Sequence, residues 1–152
     1  MSVQKSKFIT IDNKLVNLER VSNIRVVKKS NKIFFNMNYS IQIDNKMISD
    51  YIEVNYDELH KLSMTIASLQ LNEYIQENFI SYYGGLINKN CVSSIKPELD
   101  RLKICINLSN PVSFRSPDLS KLNETTSDYI FINCNDIDSF NNELNMIKSA
   151  IL

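Results

Sequence analysis

Residues 32–43 read KIFFNMNYSIQI, and their character alternates. Ile33, Phe35, Met37, Tyr39, Ile41 and Ile43 fall on one side. Lys32, Phe34, Asn36, Asn38, Ser40 and Gln42 fall on the other. Period two sustained over this length predicts a long strand with one face on a core and a polar face turned out. Residues 103–114, KICINLSNPVSF, keep the pattern through Ile104, Ile106, Leu108, Val112 and Phe114. Pro111 has no N–H for a ladder, so the second version is expected to meet an edge or a bulge there.

The likeness extends outward from these two strands. FITIDNKLVNLERVSNI (8–24) falls on FISYYGGLINKNCVSSI (79–95) at the same offset of 71. Over 8–43 there is no gap, and ten of 36 positions are identical. The offset then becomes 78, because RSPDLSKLNETT (115–126) stands where the first half has DNKMI (44–48). Beyond that loop SDYIEVN (49–55) matches SDYIFIN (127–133), and the apolar steps after it also agree: Leu59 with Ile137, Leu62 with Phe140, Ile66 with Leu144, Leu69 with Ile147. A match over a whole unit with one insertion predicts an internal duplication.

Each half reads as an antiparallel sheet of four or five strands followed by one helix. FITI and LVNL are short strands, VSNIRVVKKSNKIFF is two strands joined by the polar turn KKSN, and YIEVN is the last strand. Leu59, Leu62, Ile66 and Leu69 step by 3, 4, 3, as an amphipathic helix requires. Acids lead both helices, Asp57-Glu58 and Asp136, which suits the positive end of the helix dipole. A sheet and a helix that each carry one apolar face bury them together. The expected fold class is therefore α+β, with units at 1–74 and 75–152 forming a pseudo-dimer. Gly84 and Gly85 are expected to make the hairpin turn that opens the second unit.

Composition narrows the function classes. The chain has 152 residues, 43% hydrophobic and 22% charged, with a formal net charge of zero. That is a globular composition long enough for a core without staples. Residues 1–70 hold ten Lys/Arg against seven Asp/Glu, and 71–152 hold seven against ten, so the halves are +3 and −3. No run reaches the roughly 20 apolar residues of a membrane span. The three cysteines, Cys91, Cys105 and Cys134, lie in the second half without metal-ligand spacing. A cytoplasmic chain is the expectation. The heavy use of Asn, Lys, Ile and Tyr is that of an AT-rich genome, as in a low-GC bacterium or its phages.

Catalytic chemistry is sparse. The single histidine, His60, falls between Glu58 and Leu62, off the apolar stripe, and reads as a solvated helix residue. With two glycines, both in one turn, no phosphate loop can be built. Cys105 stands in the place of Phe34 and Cys134 in that of Tyr56, so both read as small apolar filler. Asp50 and Asp128 are equivalent acids, and Ser-Asp ahead of a strand reads as turn chemistry. No catalytic residue, cofactor site or metal site is expected.

The polar sheet face is the candidate site. It carries Lys32 and Lys103, Asn36 and Asn107, Tyr51 and Tyr129, and on the same parity Phe34 and Phe131. Alternation places both phenylalanines in solvent. Such a face can stack bases and contact phosphates, or anchor a protein partner through its aromatic side chains. Arg115 and Asp118 are the polar groups of loop 115–126, where a small ligand could bind.

A four-strand-plus-helix unit used twice in one chain resembles the plan of PUR domains and, more distantly, of Whirly-type proteins. The end DYIFINCNDIDSFNNELNMIKSAI (128–151) looks like the close of a PUR repeat, with a short apolar strand, an acidic turn and a Phe-Leu-Ile helix. The resemblance implies single-stranded DNA or RNA binding through the sheets. The neutral charge weighs against phosphate neutralisation. A non-catalytic accessory or inhibitory protein with a protein partner is therefore the first expectation, and single-stranded nucleic acid the alternative. No membrane is expected, and pairing of copies through strand edges stays open.

Overall fold

The computed structural model describes residues 7–43, 46–82, 84–114 and 125–152. It is a mixed α+β protein in which every strand pairing with a defined register is antiparallel. The strands are β1 (Phe8–Ile11), β2 (Lys14–Asn17), β3 (Val21–Val27), β4 (Lys32–Ile43) and β5 (Lys46–Asn55), then helices α1 (Leu59–Leu71) and α2 (Glu73–Asn78). β6 (Phe79–Tyr82), β7 (Gly85–Asn88), β8 (Val92–Glu98), β9 (Lys103–Phe114), β10 (Thr125–Asn133) and α3 (Ile137–Ile151) complete the order.

The chain divides into two compact units, residues 1–37 with 51–88 and residues 38–50 with 89–152. The first holds the hairpin β1–β2 and most of a five-stranded sheet ordered β5-β4-β3-β7-β6; the second holds the three-stranded sheet β10-β9-β8. The hairpin β6–β7 belongs to the first unit, where β7 lies against β3 with Ile24 opposite Leu86 and Arg25 opposite Gly85. Gly84 is a turn residue, but Gly85 is already strand. It has φ +149°, and a Cβ there would run into the Ile24 carbonyl oxygen. Only glycine lets β7 come that close.

Local devices recur at matching positions. Three-residue 3₁₀ turns stand at Leu18–Arg20 and Lys89–Cys91, and again at Lys28–Ser30 and Leu99–Arg101. The second kind ends on a left-handed residue in both halves, Asn31 and Leu102, each at φ 52°. The Asn31 carbonyl accepts from the Tyr56 N–H at 2.9 Å, and the Leu102 carbonyl from the Cys134 N–H at 2.8 Å. The register also slips at matching places, between Val21 and Asn23 against β4 and between Val92 and Ser94 against β9.

In the first unit Ile24, Ile33, Phe35 and Val54 meet Leu62 and Leu69 of α1, all 5% exposed or less. Leu59, the first member of the α1 stripe, is exposed, as is Ile137 at the start of α3. In the second unit Ile104, Ile106 and Ile132 are fully buried, with Phe140 and Ile147 of α3 at 3% and 0%. Asp136 caps α3, its carboxylate accepting from the Ser139 N–H at 2.7 Å. The Ser-Asp pairs are not turns. Ser49-Asp50 lies inside β5 and Ser127-Asp128 inside β10. The ladder takes these backbones because both strands begin earlier than the polar residues suggest; in the second unit the register breaks here, with residues 108–111 of β9, Pro111 among them, standing against Asp128 alone of β10.

A candidate binding face

The outer face of β8–β9–β10 is built by register. Ser94 lies beside Asn107 and Asn107 beside Tyr129. Lys96, Cys105 and Phe131 form the next row, and Glu98, Lys103 and Asn133 the third. Residues two apart along a strand share a face, so these nine positions make one surface. Tyr129 and Phe131 are each 40% exposed. Their rings meet edge to face at 4.8 Å between centroids. The Lys103 ammonium sits 5.4 Å from the Phe131 ring centre, within cation–π range. Asn107 donates to the Ser94 hydroxyl at 2.7 Å, which fixes its amide. Cys105 is buried among them.

The matching face of the first unit differs. Phe34 is 7% exposed and Asn36 only 1%, so the alternation that placed Phe34 in solvent misjudged it. The Arg25 guanidinium lies 4.6 Å from the Phe34 ring centre, and Tyr51 packs against the same ring at 6.0 Å. Burial lowers the Arg25 pKa, with the charge of Tyr82 opposing the shift. Lys32 is held by Glu53 at 2.7 Å. Asn36 lies opposite Asn23, also 1% exposed, and none of their side-chain nitrogens and oxygens makes a hydrogen bond. The structure thus groups Lys103, Asn107, Tyr129 and Phe131 on an open surface. It groups Lys32, Phe34, Asn36 and Tyr51 on a largely closed one.

One change accounts for much of this. Glu53 of the first half aligns with Phe131 of the second. The lysine that is ion-paired in one half faces an aromatic ring in the other. Sequence reading did not single out Ser94, Lys96, Cys105, Arg25 or Asn23 as members of these faces. Counting register outward from the Lys28–Ser30 and Leu99–Arg101 turns would have placed them.

The remaining candidates are dispersed. His60 pairs with Glu58 at 2.9 Å on an open helix surface. Asp50 accepts from the Tyr39 hydroxyl at 3.0 Å. The cysteines form no disulfide. Burial raises the Cys91 thiol pKa, opposed by an Asn38 hydrogen bond, and raises that of Cys134 together with the nearby Glu143 and Asp136 charges. Among the described residues no three His, Cys, Asp or Glu side chains gather as metal ligands. Arg115 and Asp118 lie outside the described residues. Two open grooves are lined by the first unit. One, of about 360 Å³, runs beside Val26, Ile66, Gln70, Ser81 and Leu86, and the other, of about 430 Å³, beside Ile9, Asp12, Tyr56 and Met64. Among the described residues no helix is long and apolar enough to cross a membrane.

Fold and site define an α+β protein with antiparallel sheets and an exposed aromatic-basic sheet face. Set against known proteins, the chain matches no family model, no curated protein and no solved structure.

Proposed function

We propose that this chain is a non-catalytic binding protein, and that the outer face of β8–β9–β10 is its working surface. Its build is that of an internally duplicated pseudo-dimer, in which only one copy has kept the face open. The observation that carries the reading is the pair Tyr129 and Phe131, both 40% exposed and in edge-to-face contact beside Lys103. Two adjacent rings on a ladder are rigid and bring apolar area at low entropy cost. Such residues act as anchors in macromolecular interfaces. The partner is a protein, and the chain acts as a small regulatory or inhibitory subunit. The test is capture of a partner from the source cell on the immobilised chain, with nuclease added. A nuclease-resistant partner that is lost from a folded Tyr129→Ala/Phe131→Ala variant supports the reading. A partner held equally by that variant removes it.

A second reading has its own support. Lys96 and Lys103 share the face with the ring pair, and basic side chains beside exposed aromatic rings suit single-stranded DNA or RNA. A titration with a labelled oligonucleotide at low and high salt separates the two. Binding that falls steeply with salt and vanishes with Phe131→Ala favours nucleic acid; no binding at low salt excludes it.

A further inference from the structure

The outer edges of β3 and β8 correspond in sequence, yet they differ in use. β3 pairs with β4 on one side and with β7 on the other. β8 pairs, among the described residues, with β9 alone. On β3 the amides of Ile24 and Val26 point to β7, and Val26 donates to the Gly84 carbonyl at 3.0 Å. The residue 71 positions beyond Val26 is Pro97. It lies in β8, opposite Ile104, and has no N–H to give. The hairpins differ in the same sense. β7 reaches β3 because Gly85 has no Cβ to strike the Ile24 carbonyl. The corresponding residue of β1–β2 is Lys14. Both requirements of the occupied seat, a donor on the sheet edge and a bare backbone on the hairpin, are missing from its counterpart.

We propose that Pro97 and Lys14 are a matched guard. They close the outer edge of β8 to hairpin addition by a second copy of this chain, while Val26 and Gly85 keep the corresponding edge of β3 filled. An exposed strand edge with unused donors is a template for self-association, and proline on the edge is a recognised way to blunt it. A duplication that kept both seats competent would offer each hairpin two addresses. With one seat disabled, β6–β7 has one partner and copies do not chain together. This inference concerns assembly, and it stands or falls apart from the binding face.

Amide hydrogen exchange on the full chain tests it. In the wild type the Ile95 amide, the donor that the β8 edge keeps at the position matching Ile24, should exchange at least about tenfold faster than Ile24 and Val26. In Pro97→Val/Lys14→Gly, at high protein concentration, Ile95 should slow by about tenfold or more, while the Ile104 and Ile106 amides of β9 stay protected as a control for folding. The converse variant Val26→Pro places the guard on the first seat and should speed exchange at Ile24, again with Ile104 and Ile106 unchanged. Three results overturn the proposal: wild-type Ile95 as protected as Ile24, no slowing in the folded double variant, or undiminished Ile24 protection in Val26→Pro.

Discussion

At the scale of single residues, burial separates two phenylalanines that alternation already puts on opposite faces. Phe35 is fully buried and Phe131 is 40% exposed. Phe35→Ala should cost about 3–5 kcal/mol by chemical denaturation, because the cavity in a packed sheet–helix core cannot collapse. Phe131→Ala should change stability by less than about 0.5 kcal/mol yet abolish partner capture, as expected of a surface anchor. A loss of several kcal/mol in that variant would make Phe131 a core residue and remove the proposed face. Leu102 carries a different cost. It sits at φ 52°, where a side chain with Cβ crowds the following carbonyl, and its counterpart Asn31 is a residue that tolerates the region. Leu102→Asn should therefore raise the urea midpoint, by about 0.5–1 kcal/mol of stability. An unchanged or lowered midpoint would mean that packing of the leucine outweighs its backbone strain.

At the scale of elements, the helix start in the second unit is an electrostatic device. Ser139 backbone and side-chain hydrogen bonds hold the Asp136 carboxyl pKa below its ordinary value. A depressed carboxyl pKa stabilises the fold above the unfolded value and loses that contribution as pH falls through the folded one. Asp136→Asn keeps a cap but not the charge. The stability difference between wild type and Asp136→Asn should thus be largest near neutral pH and shrink to its minimum below the ordinary aspartate range. A difference that is flat across that range would show that the carboxylate charge contributes nothing to the cap. The strands were legible at this scale because period two is written in adjacent residues: 32–43 and 103–114 are strands over their whole printed length. The ends were less legible. Ser49-Asp50 and Ser127-Asp128 have turn chemistry, but ladder partners drew them into β5 and β10.

At the scale of the whole molecule, Gly85 is the residue on which the first unit's sheet turns. Gly85→Ala should destabilise the protein by at least about 1–3 kcal/mol, since the added Cβ meets backbone and not a side chain that can move away. Faster exchange at Ile24 and Val26 should accompany it; wild-type exchange there would show that β7 can shift without loss. Nothing local announces this dependence, because two adjacent glycines after a strand read as a turn. The candidate face was half legible for the same reason. Alternation put Lys103, Asn107, Tyr129 and Phe131 on one side of the sheet, and the register agrees. It put Phe34 and Asn36 on the equivalent side, and they are buried there. By itself the sequence determined the α+β class and the long strands, because side-chain period and turn chemistry act between near neighbours; the short helix α2 it did not announce. Only the tertiary structure decided that β7 lies on β3, that β8 pairs among the described residues with β9 alone, and which of two similar faces stays open, because these depend on contacts between residues tens of positions apart.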